Sequence, residues 1–274
     1  MSFVTTRDSI RLRVKDWGTG PAVVLIHGWP LSADTWDAVA MRLVDQGFRV
    51  IAYDRRGFGH SEHAHSGYDY DTLSDDLLDV LRAKDISSAS LVGFSMGGGE
   101  VIRFQTRHPQ IDIKRAILIG SVVPGLLKTP DHPEGVDGQV FDGMKEAIFA
   151  DRAGFFEEFF KGFYGVGVLS KPVSQGVLRW SHQMAMSAGL KATIDCVDAF
   201  GKTDFRSELQ SMQTPTLIIH GDADATVPID ISGKAAAKRL SHSEIQIYEG
   251  SPHGLLATDQ DRLIEDVSRF LTSS

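Results

Sequence analysis

Ser90-Leu91-Val92-Gly93-Phe94-Ser95-Met96-Gly97-Gly98-Gly99-Glu100 is the stretch on which the reading of this chain turns. A short apolar run, Ala89 to Val92, ends at Gly93-Phe94-Ser95-Met96-Gly97 and leads into a helical pattern through Val101, Ile102 and Phe104. Strand, tight turn and helix with a serine at the apex is the context in which G-x-S-x-G reads as a nucleophile elbow. The geometry accounts for the glycines. A strand that reverses into a helix within about three residues brings the flanking backbones too close for a Cβ at Gly93 and Gly97. Ser95 is driven into a sparsely populated backbone region, and such strain concentrates at functional sites. The helix behind it aims unpaired N–H groups and its positive end at the hydroxyl, where an oxyanion would form. The pentapeptide alone fits a Gly-rich turn before a core helix equally well, so the rest of the chain decides.

Outward from the elbow, apolar runs of the kind buried on both faces of a parallel sheet recur. They are Ala22 to Ile26, Arg49 to Tyr53, Ser90 to Val92, Ala116 to Ile119, Thr216 to Ile219 and Glu244 to Tyr248. Helical periodicities lie between them at Thr35–Val44, Thr72–Arg82, Ile231–Leu240 and Arg262–Leu271. This alternation predicts right-handed βαβ units and a doubly wound α/β sheet covered on both faces. Ahead of it, Phe3–Thr6 and Ile10–Val14 alternate around Arg7-Asp8-Ser9 and predict an antiparallel hairpin.

The alternation stops after Pro124 and resumes at Thr214-Pro215-Thr216. The intervening segment opens with a Pro/Gly/Asp/His-rich loop, Lys128 to Gly138. Helical stretches follow at Phe141–Phe149, Arg152–Phe163, Pro172–Ser187 and Leu190–Phe200. The organisation expected is a first core part (1–124), an inserted helical cap (125–208) and a second core part (209–274). Ten aromatic residues in the insertion exceed what thin helices need for self-packing: Phe141, Phe149, Phe155, Phe156, Phe159, Phe160, Phe163, Tyr164, Trp180 and Phe200. Most should glue cap to core, and a few should line an apolar pocket above Ser95.

Composition narrows the function class. The formal net charge is −8, from 36 acidic and 28 basic residues, which argues against a nucleic-acid partner and an anionic membrane surface. A single cysteine, Cys196, excludes an internal disulfide and a Cys-based metal site. The N-terminus lacks a basic start followed by an apolar stretch, and no run approaches the ~18 apolar residues of a membrane span. A cytoplasmic protein is expected; the sequence leaves open whether it forms a homo-oligomer.

Ligands of open α/β sheets bind at the carboxyl ends of the strands, and the chemically capable residues sit there. Ser95 follows the third parallel run. Asp222 and Asp224 follow Thr216–Ile219, in His220-Gly221-Asp222-Ala223-Asp224-Ala225-Thr226-Val227-Pro228; His253 follows Glu244–Tyr248, in Ser251-Pro252-His253-Gly254. A serine hydroxyl is a poor nucleophile until a base within hydrogen-bond reach takes its proton. An imidazole suits that task, and a carboxylate fixes its tautomer and stabilises the imidazolium. The order Ser, Asp, His is that of α/β-hydrolases. His60, His63 and His65 form an H-x-x-H-x-H run without a scaffold for zinc, and the serine chemistry needs no metal. Gly57-Phe58-Gly59 sits in a segment that has Glu62 where a third dinucleotide-fingerprint glycine would stand, and no helix opens directly behind it.

These residues resemble the α/β-hydrolase superfamily over nearly the whole chain, and more narrowly the cofactor-free haloperoxidase/aryl esterase (perhydrolase) family. The matching stretches are His27-Gly28-Trp29-Pro30, Tyr53 to Ser61, Gly93 to Glu100, His220 to Pro228 and Ser251 to Gly254. The resemblance implies Ser95 as nucleophile, His253 as base, Asp224 as the orienting acid with Asp222 a turn residue, and the backbone N–H groups of Trp29 and Met96 as oxyanion hole. Trp29, Phe94 and Met96 flank the reacting centre by sequence; with Pro30, Val122, Leu126, Phe160, Phe200 and Val227 they make the expected pocket, the cap positions resting on the resemblance alone. The resemblance further implies hydrolysis of small carboxylic esters through an acyl-enzyme, with no cofactor and no metal. Pro30 after Trp29 is associated in the family with perhydrolysis, in which hydrogen peroxide replaces water and the peracid formed oxidises halide. A serine in place of aspartate at 95 disfavours the alkyl-enzyme chemistry of dehalogenases and epoxide hydrolases. Other capped activities (lactonase, C–C hydrolase, acyltransferase) and a ligand receptor on the same fold stay as alternatives, separated by pocket shape and by multiple turnover.

Overall fold

The computed structural model describes residues 2–273. Its eight strands are β1 Ser2–Thr5, β2 Arg11–Trp17, β3 Ala22–Ile26, β4 Arg49–Tyr53, β5 Ser88–Phe94, β6 Asp112–Ile119, β7 Thr216–Gly221 and β8 Ser243–Tyr248. They form one sheet in the order β1-β2-β4-β3-β5-β6-β7-β8. β1 and β2 are the antiparallel hairpin expected at the N-terminus, β2 pairs antiparallel with β4, and every later pairing is parallel. Where the sheet is covered on both sides the apolar runs are buried: Val23 to Ile26, Leu91, Val92 and Ala116 to Ile119 are each at most 1% exposed. The run Glu244 to Tyr248 departs from that expectation, because β8 is an edge strand with Ile247 40% exposed and only Tyr248 buried. This is the α/β-hydrolase fold.

Ten α-helices among the described residues accompany the sheet: α1 Asp37–Asp45, α2 Tyr70–Ala83, α3 Met96–Arg107, α4 Gly138–Phe163, α5 Gln175–Ser187, α6 Leu190–Lys202, α7 Arg206–Leu209, α8 Gly233–Ala237, α9 Leu255–Thr258 and α10 Gln260–Thr272. α2 starts where the Asp69 carboxylate accepts the Thr72 N–H at 2.9 Å, and its Leu73, Leu77, Leu78 and Leu81 stripe is buried. It packs on α3 over Gly99, where a Cβ would fall 2.5 Å from the Tyr70 ring. The Tyr70 hydroxyl donates to the Met96 carbonyl at 3.0 Å, which ties the start of α3 to its neighbour.

The helical stretches read as Phe141–Phe149 and Arg152–Phe163 are both found, joined end to end in α4 across a break at Asp151, whose backbone is non-helical (φ −152°, ψ 86°). The Asp151 carboxylate accepts the Gly154 N–H at 2.9 Å, so it acts as an internal cap where the second half restarts. The helix expected over Ile231–Leu240 is α-helical only at Gly233–Ala237. Between β6 and β7 the described chain adds no strand to the sheet, only α4 to α7 and two isolated bridges. Phe156, Phe160 and Phe163 of α4 belong to the same buried cluster as Ile117 and Leu118 of β6. The inserted helices thus share the core of the sheet.

Candidate active site

Five strand ends converge on one point. β3, β5 and β6 run in register there, with Ile26 beside Gly93 and Phe94 beside Ile119. Ser95 caps the end of β5 with φ 55° and ψ −119°, a conformation that costs a non-glycine residue about 1–3 kcal/mol. Its neighbours force it. A Cβ on Gly93 would lie 2.4 Å from the Gly97 carbonyl oxygen, and one on Gly97 would lie 2.5 Å from that of Ile26. The Ser95 N–H donates to Ile119 at 2.8 Å and fixes the turn to β6.

His253 comes from the loop after β8, and Asp224 from the loop after β7. The two loops approach closely because position 221 is glycine: a Cβ there would meet the Ser251 carbonyl oxygen at 2.1 Å. The Ser95 hydroxyl donates to His253 Nε2 at 3.0 Å, and His253 Nδ1 donates to Asp224 Oδ2 at 2.6 Å. The hydrogen-bond partners assign the tautomer: Nδ1 faces a carboxylate and so carries the proton, leaving Nε2 free to accept. The imidazole lies between two rings, Phe94 at 5.1 Å and Phe163 at 4.8 Å between centroids, and is closed to solvent. Asp224 Oδ1 accepts the N–H groups of Thr226 (2.9 Å) and Val227 (2.7 Å). Burial alone would raise this carboxyl; His253, with hydrogen bonds from His220 and His253, outweighs it and holds Asp224 well below the usual carboxylate range. Asp222 stands apart, exposed, accepting the Gly250 N–H at 2.6 Å as a turn residue.

On the other side of Ser95 runs His27-Gly28-Trp29. Gly28 is needed for the approach, since a Cβ there would touch Phe94 at 2.9 Å and Ser95 Cβ at 3.0 Å. The backbone N–H groups of Trp29 and Met96 take part in no hydrogen bond among the described residues. Met96 opens α3, so its N–H is one of the four that a helix start leaves without an internal partner. The Trp29 indole donates to the Thr193 carbonyl at 3.0 Å and packs among Phe156, Phe159 and Phe200. The Trp29–Pro30 peptide is cis.

Ser95 opens on a cavity of about 370 Å³. Its wall is apolar: Trp29, Val122, Leu126, Phe141, Met144, Phe155, Phe159, Phe163, Phe200 and Val227, with Thr226 and Glu158 as polar exceptions. Glu158 is mostly exposed and pairs with Lys161 at 2.6 Å. Charge at this cavity is confined to its rim.

Comparison with known proteins agrees with this fold. Residues 21–259 match the alpha/beta hydrolase fold family. The chain is 40% identical to the non-haem chloroperoxidase CPO-A1 of Kitasatospora aureofaciens, over 99% of both chains. It is 38% identical to the bifunctional esterase/perhydrolase DCH of Acinetobacter calcoaceticus, over the full length of both. The crystal structure of a bromoperoxidase from Bacillus anthracis superposes with a TM-score of 0.95 at 42% identity, covering 99% of each chain. The chain belongs to the α/β-hydrolases, in the group of non-haem haloperoxidases and esterase/perhydrolases. It is a hydrolase-type enzyme.

In this hydrolase five of the pocket residues expected from sequence line the cavity: Trp29, Val122, Leu126, Phe200 and Val227. Four do not. Met96 is fully buried and turns no side-chain surface to the cavity. Phe160 is buried on the opposite side of α4, against Phe156 and Tyr164 and facing a groove toward α5. Phe94 lies beneath His253 and against Trp36, a support for the imidazole with no cavity surface. Pro30 is buried behind Trp29 and contributes no cavity surface either. Not picked out individually from the sequence were Phe141 and Met144 of the first half of α4 and Phe155, Glu158, Phe159, Gly162 and Phe163 of the second, the latter a stripe at helical spacing of three and four. Phe149 neither glues nor lines; it is 74% exposed.

The Asp54 to Ser61 segment supports the site from below. Asp54 accepts the N–H groups of Ala33 and His60, each at 2.8 Å, and Arg56 is bound by Asp76 and Asp8. His27 is buried, accepts the Arg55 N–H through Nε2 and donates to the Gly28 carbonyl through Nδ1. Burial first, and the Arg55 charge second, hold its pKa well below the ordinary value. His60 lies half-exposed 3.7 Å from Asp54. Among the described residues no three His, Cys, Asp or Glu side chains gather as a metal site. Burial pushes the Cys196 thiol up to about 12, which keeps it inert. No helix among the described residues is long and apolar enough to cross a membrane.

Proposed function

We propose that this chain is a serine esterase that cleaves small carboxylic esters through an acyl-enzyme and passes the acyl group to water or to hydrogen peroxide. The observation that carries the reading is the unbroken hydrogen-bonded chain Asp224–His253–Ser95, opening on an apolar cavity. Residues 125–208 serve as the cap that closes this cavity over the two core parts, 1–124 and 209–274.

Ser95 Oγ attacks the ester carbonyl carbon while its proton moves to His253 Nε2. The carbonyl oxygen, now negative, receives the N–H groups of Trp29 and Met96; a donor of this kind is worth about 3–4 kcal/mol in acyl transfer. The tetrahedral carbon collapses, the C–O bond to the alcohol breaks, and His253 returns the proton to the departing oxygen. Water then loses a proton to His253 and attacks the acyl carbon; the acyl C–Oγ bond breaks, His253 returns the proton to Ser95 Oγ, and the acid leaves. Hydrogen peroxide in place of water gives a peracid, and an apparent haloperoxidase activity follows from peracid oxidising halide. Pro30 beside Trp29 and the likeness to an esterase/perhydrolase support this second use of the site.

The reading is tested by steady-state hydrolysis of p-nitrophenyl esters from acetate to octanoate, with chelator present, by the parent and by Ser95→Ala. Repeated turnover by the parent and a loss of at least about 10⁴-fold in Ser95→Ala support it. A Ser95→Ala protein as active as the parent overturns it. Hydrogen peroxide and a carboxylic acid, assayed for peracid, test the second acceptor.

A further inference from the structure

Asp224 is held by more than His253 and two loop amides. His220, on β7, donates through Nε2 to the Val227 carbonyl at 2.9 Å and holds the same nitrogen 3.2 Å from the carboxylate oxygen Oδ2. The side chains of His220 and Asp224 are both closed to solvent. His220 Nδ1 has no hydrogen-bond partner among the described residues. The proton therefore belongs on Nε2, the only ring nitrogen with acceptors in reach. The ring is boxed in as well: position 233 is glycine, and a Cβ there would stand 2.8 Å from Nδ1.

We propose that His220 is a positioning residue: its Nε2–H, shared between Asp224 Oδ2 and the Val227 carbonyl, locks the carboxylate in the orientation that keeps a proton on His253 Nδ1. The inference rests on the serine acyl-transfer reading above. A carboxylate held only through Oδ1, by the Thr226 and Val227 amides, keeps a soft terminal torsion, because rotation about an sp³–sp² bond is broad. Oδ2 is the atom that faces His253, so freedom there is freedom of the imidazole. A donor on Oδ2 from a strand residue removes it. The same N–H grips the Val227 carbonyl, which joins the acid, its loop and one wall of the cavity to β7. His253 and His220 are the only histidine, lysine or arginine side chains paired with the Asp224 carboxylate among the described residues.

The bland alternative is a core histidine that happens to be satisfied, and side-chain reach separates the two. A glutamine amide nitrogen extends about as far as the ring Nε2; an asparagine amide stops near Nδ1, out of reach of Oδ2. The test compares His220→Gln, His220→Asn and His220→Leu in ester hydrolysis. Rates are expressed per active site titrated with a fluorophosphonate, so misfolded protein is not counted. Expected are kcat values lowered about ten- to a hundredfold in His220→Asn and His220→Leu, with KM little changed. His220→Gln recovers most of kcat. The low-field proton of the His253–Asp224 hydrogen bond is expected in the parent and His220→Gln spectra and absent from His220→Asn. Parent-like kcat in His220→Asn, or a His220→Gln as slow as His220→Asn, overturns the proposal. Nitrogen-15 shifts of the parent need no variant to fold, and a His220 ring protonated on Nδ1 with Nε2 bare overturns it too. A parent that the phosphonate fails to label, or whose turnover survives Ser95→Ala, instead overturns the acyl-transfer reading itself.

Discussion

Arg55, two residues beyond β4, and Glu100, five residues beyond Ser95, form an ion pair in which neither side chain is more than 1% exposed. Arg55 Nε donates to Glu100 Oε1 at 2.7 Å, its Nη2 donates to the His27 carbonyl at 2.7 Å, and the Tyr53 hydroxyl donates to Glu100 Oε2 at 2.8 Å. The pair clasps the loop that carries the Trp29 N–H to the helix that carries the Met96 N–H. Removing one partner strands the other charge in the core, at a cost of about 3–5 kcal/mol. Glu100→Ala should lower the urea midpoint accordingly. Arg55→Met with Glu100→Leu should restore most of the stability, yet leave kcat about tenfold down because the clasp is gone. Full activity in the stable double variant would show that the pair does not position the site.

Two glycines make opposite predictions. A methyl at Gly97 meets the Ile26 and His27 carbonyl oxygens at 2.5 and 3.1 Å, both backbone atoms of the layer beneath Ser95. Gly97→Ala should cost at least about 2 kcal/mol and most of the activity. Gly143, exposed inside α4, has nothing within 4 Å of its virtual Cβ. Gly143→Ala should stabilise by about 0.5–1 kcal/mol and leave turnover alone. Thermal and urea unfolding of the two variants beside the parent checks both signs.

The contrast between Gly93 and Phe160 shows how far the sequence alone is legible. Gly93 is constrained by Gly97 and Gly98, within a few residues of itself, so the tight turn around Ser95 follows from local chemistry; Gly97 answers instead to Ile26 and His27, far earlier in the chain. The strands are legible for a related reason: runs such as Val23 to Ile26 and Ala116 to Ile119 are apolar at every position only when both faces are covered. α4 is different. It carries aromatic residues on two faces, Phe155, Phe159 and Phe163 on one and Phe156 and Phe160 on the other, and its periodicity is satisfied by either. Which face meets Ser95 depends on how the inserted helices dock, which involves Trp29 and Phe200 from far along the chain. Phe94 misleads for the opposite reason: adjacent to Ser95 in sequence, it alternates to the far side of the strand end and supports His253.

Asp224 links the site to acid stability. Its native carboxyl titrates below the unfolded value of about 3.9, so as pH falls the unfolded chain binds this proton first. The stabilisation from ionised Asp224 is therefore complete above the unfolded pKa and is lost as pH drops toward the native one. Asp224→Asn should have a lower urea midpoint than the parent at pH 5, and at about pH 3.5 that margin should shrink. A margin that stays constant or grows on acidification contradicts the sign.

The cavity wall sets the acyl chain that fits. Leu126 is buried and faces the cavity, so Leu126→Ala adds volume beside Ser95 without touching His253, Asp224 or the Trp29 and Met96 amides. Each further methylene that the enlarged cavity buries is worth about 0.8 kcal/mol, or about fourfold in kcat/KM. The optimum of the p-nitrophenyl ester series should move toward longer chains in Leu126→Ala, with acetate turnover little changed. Phe160→Ala is the matched control, because Phe160 is buried on the other face of α4. It should lose about 3–5 kcal/mol of stability and keep the parental chain-length optimum. A shifted optimum in Phe160→Ala together with an unshifted one in Leu126→Ala would mean that the two faces of α4 are exchanged.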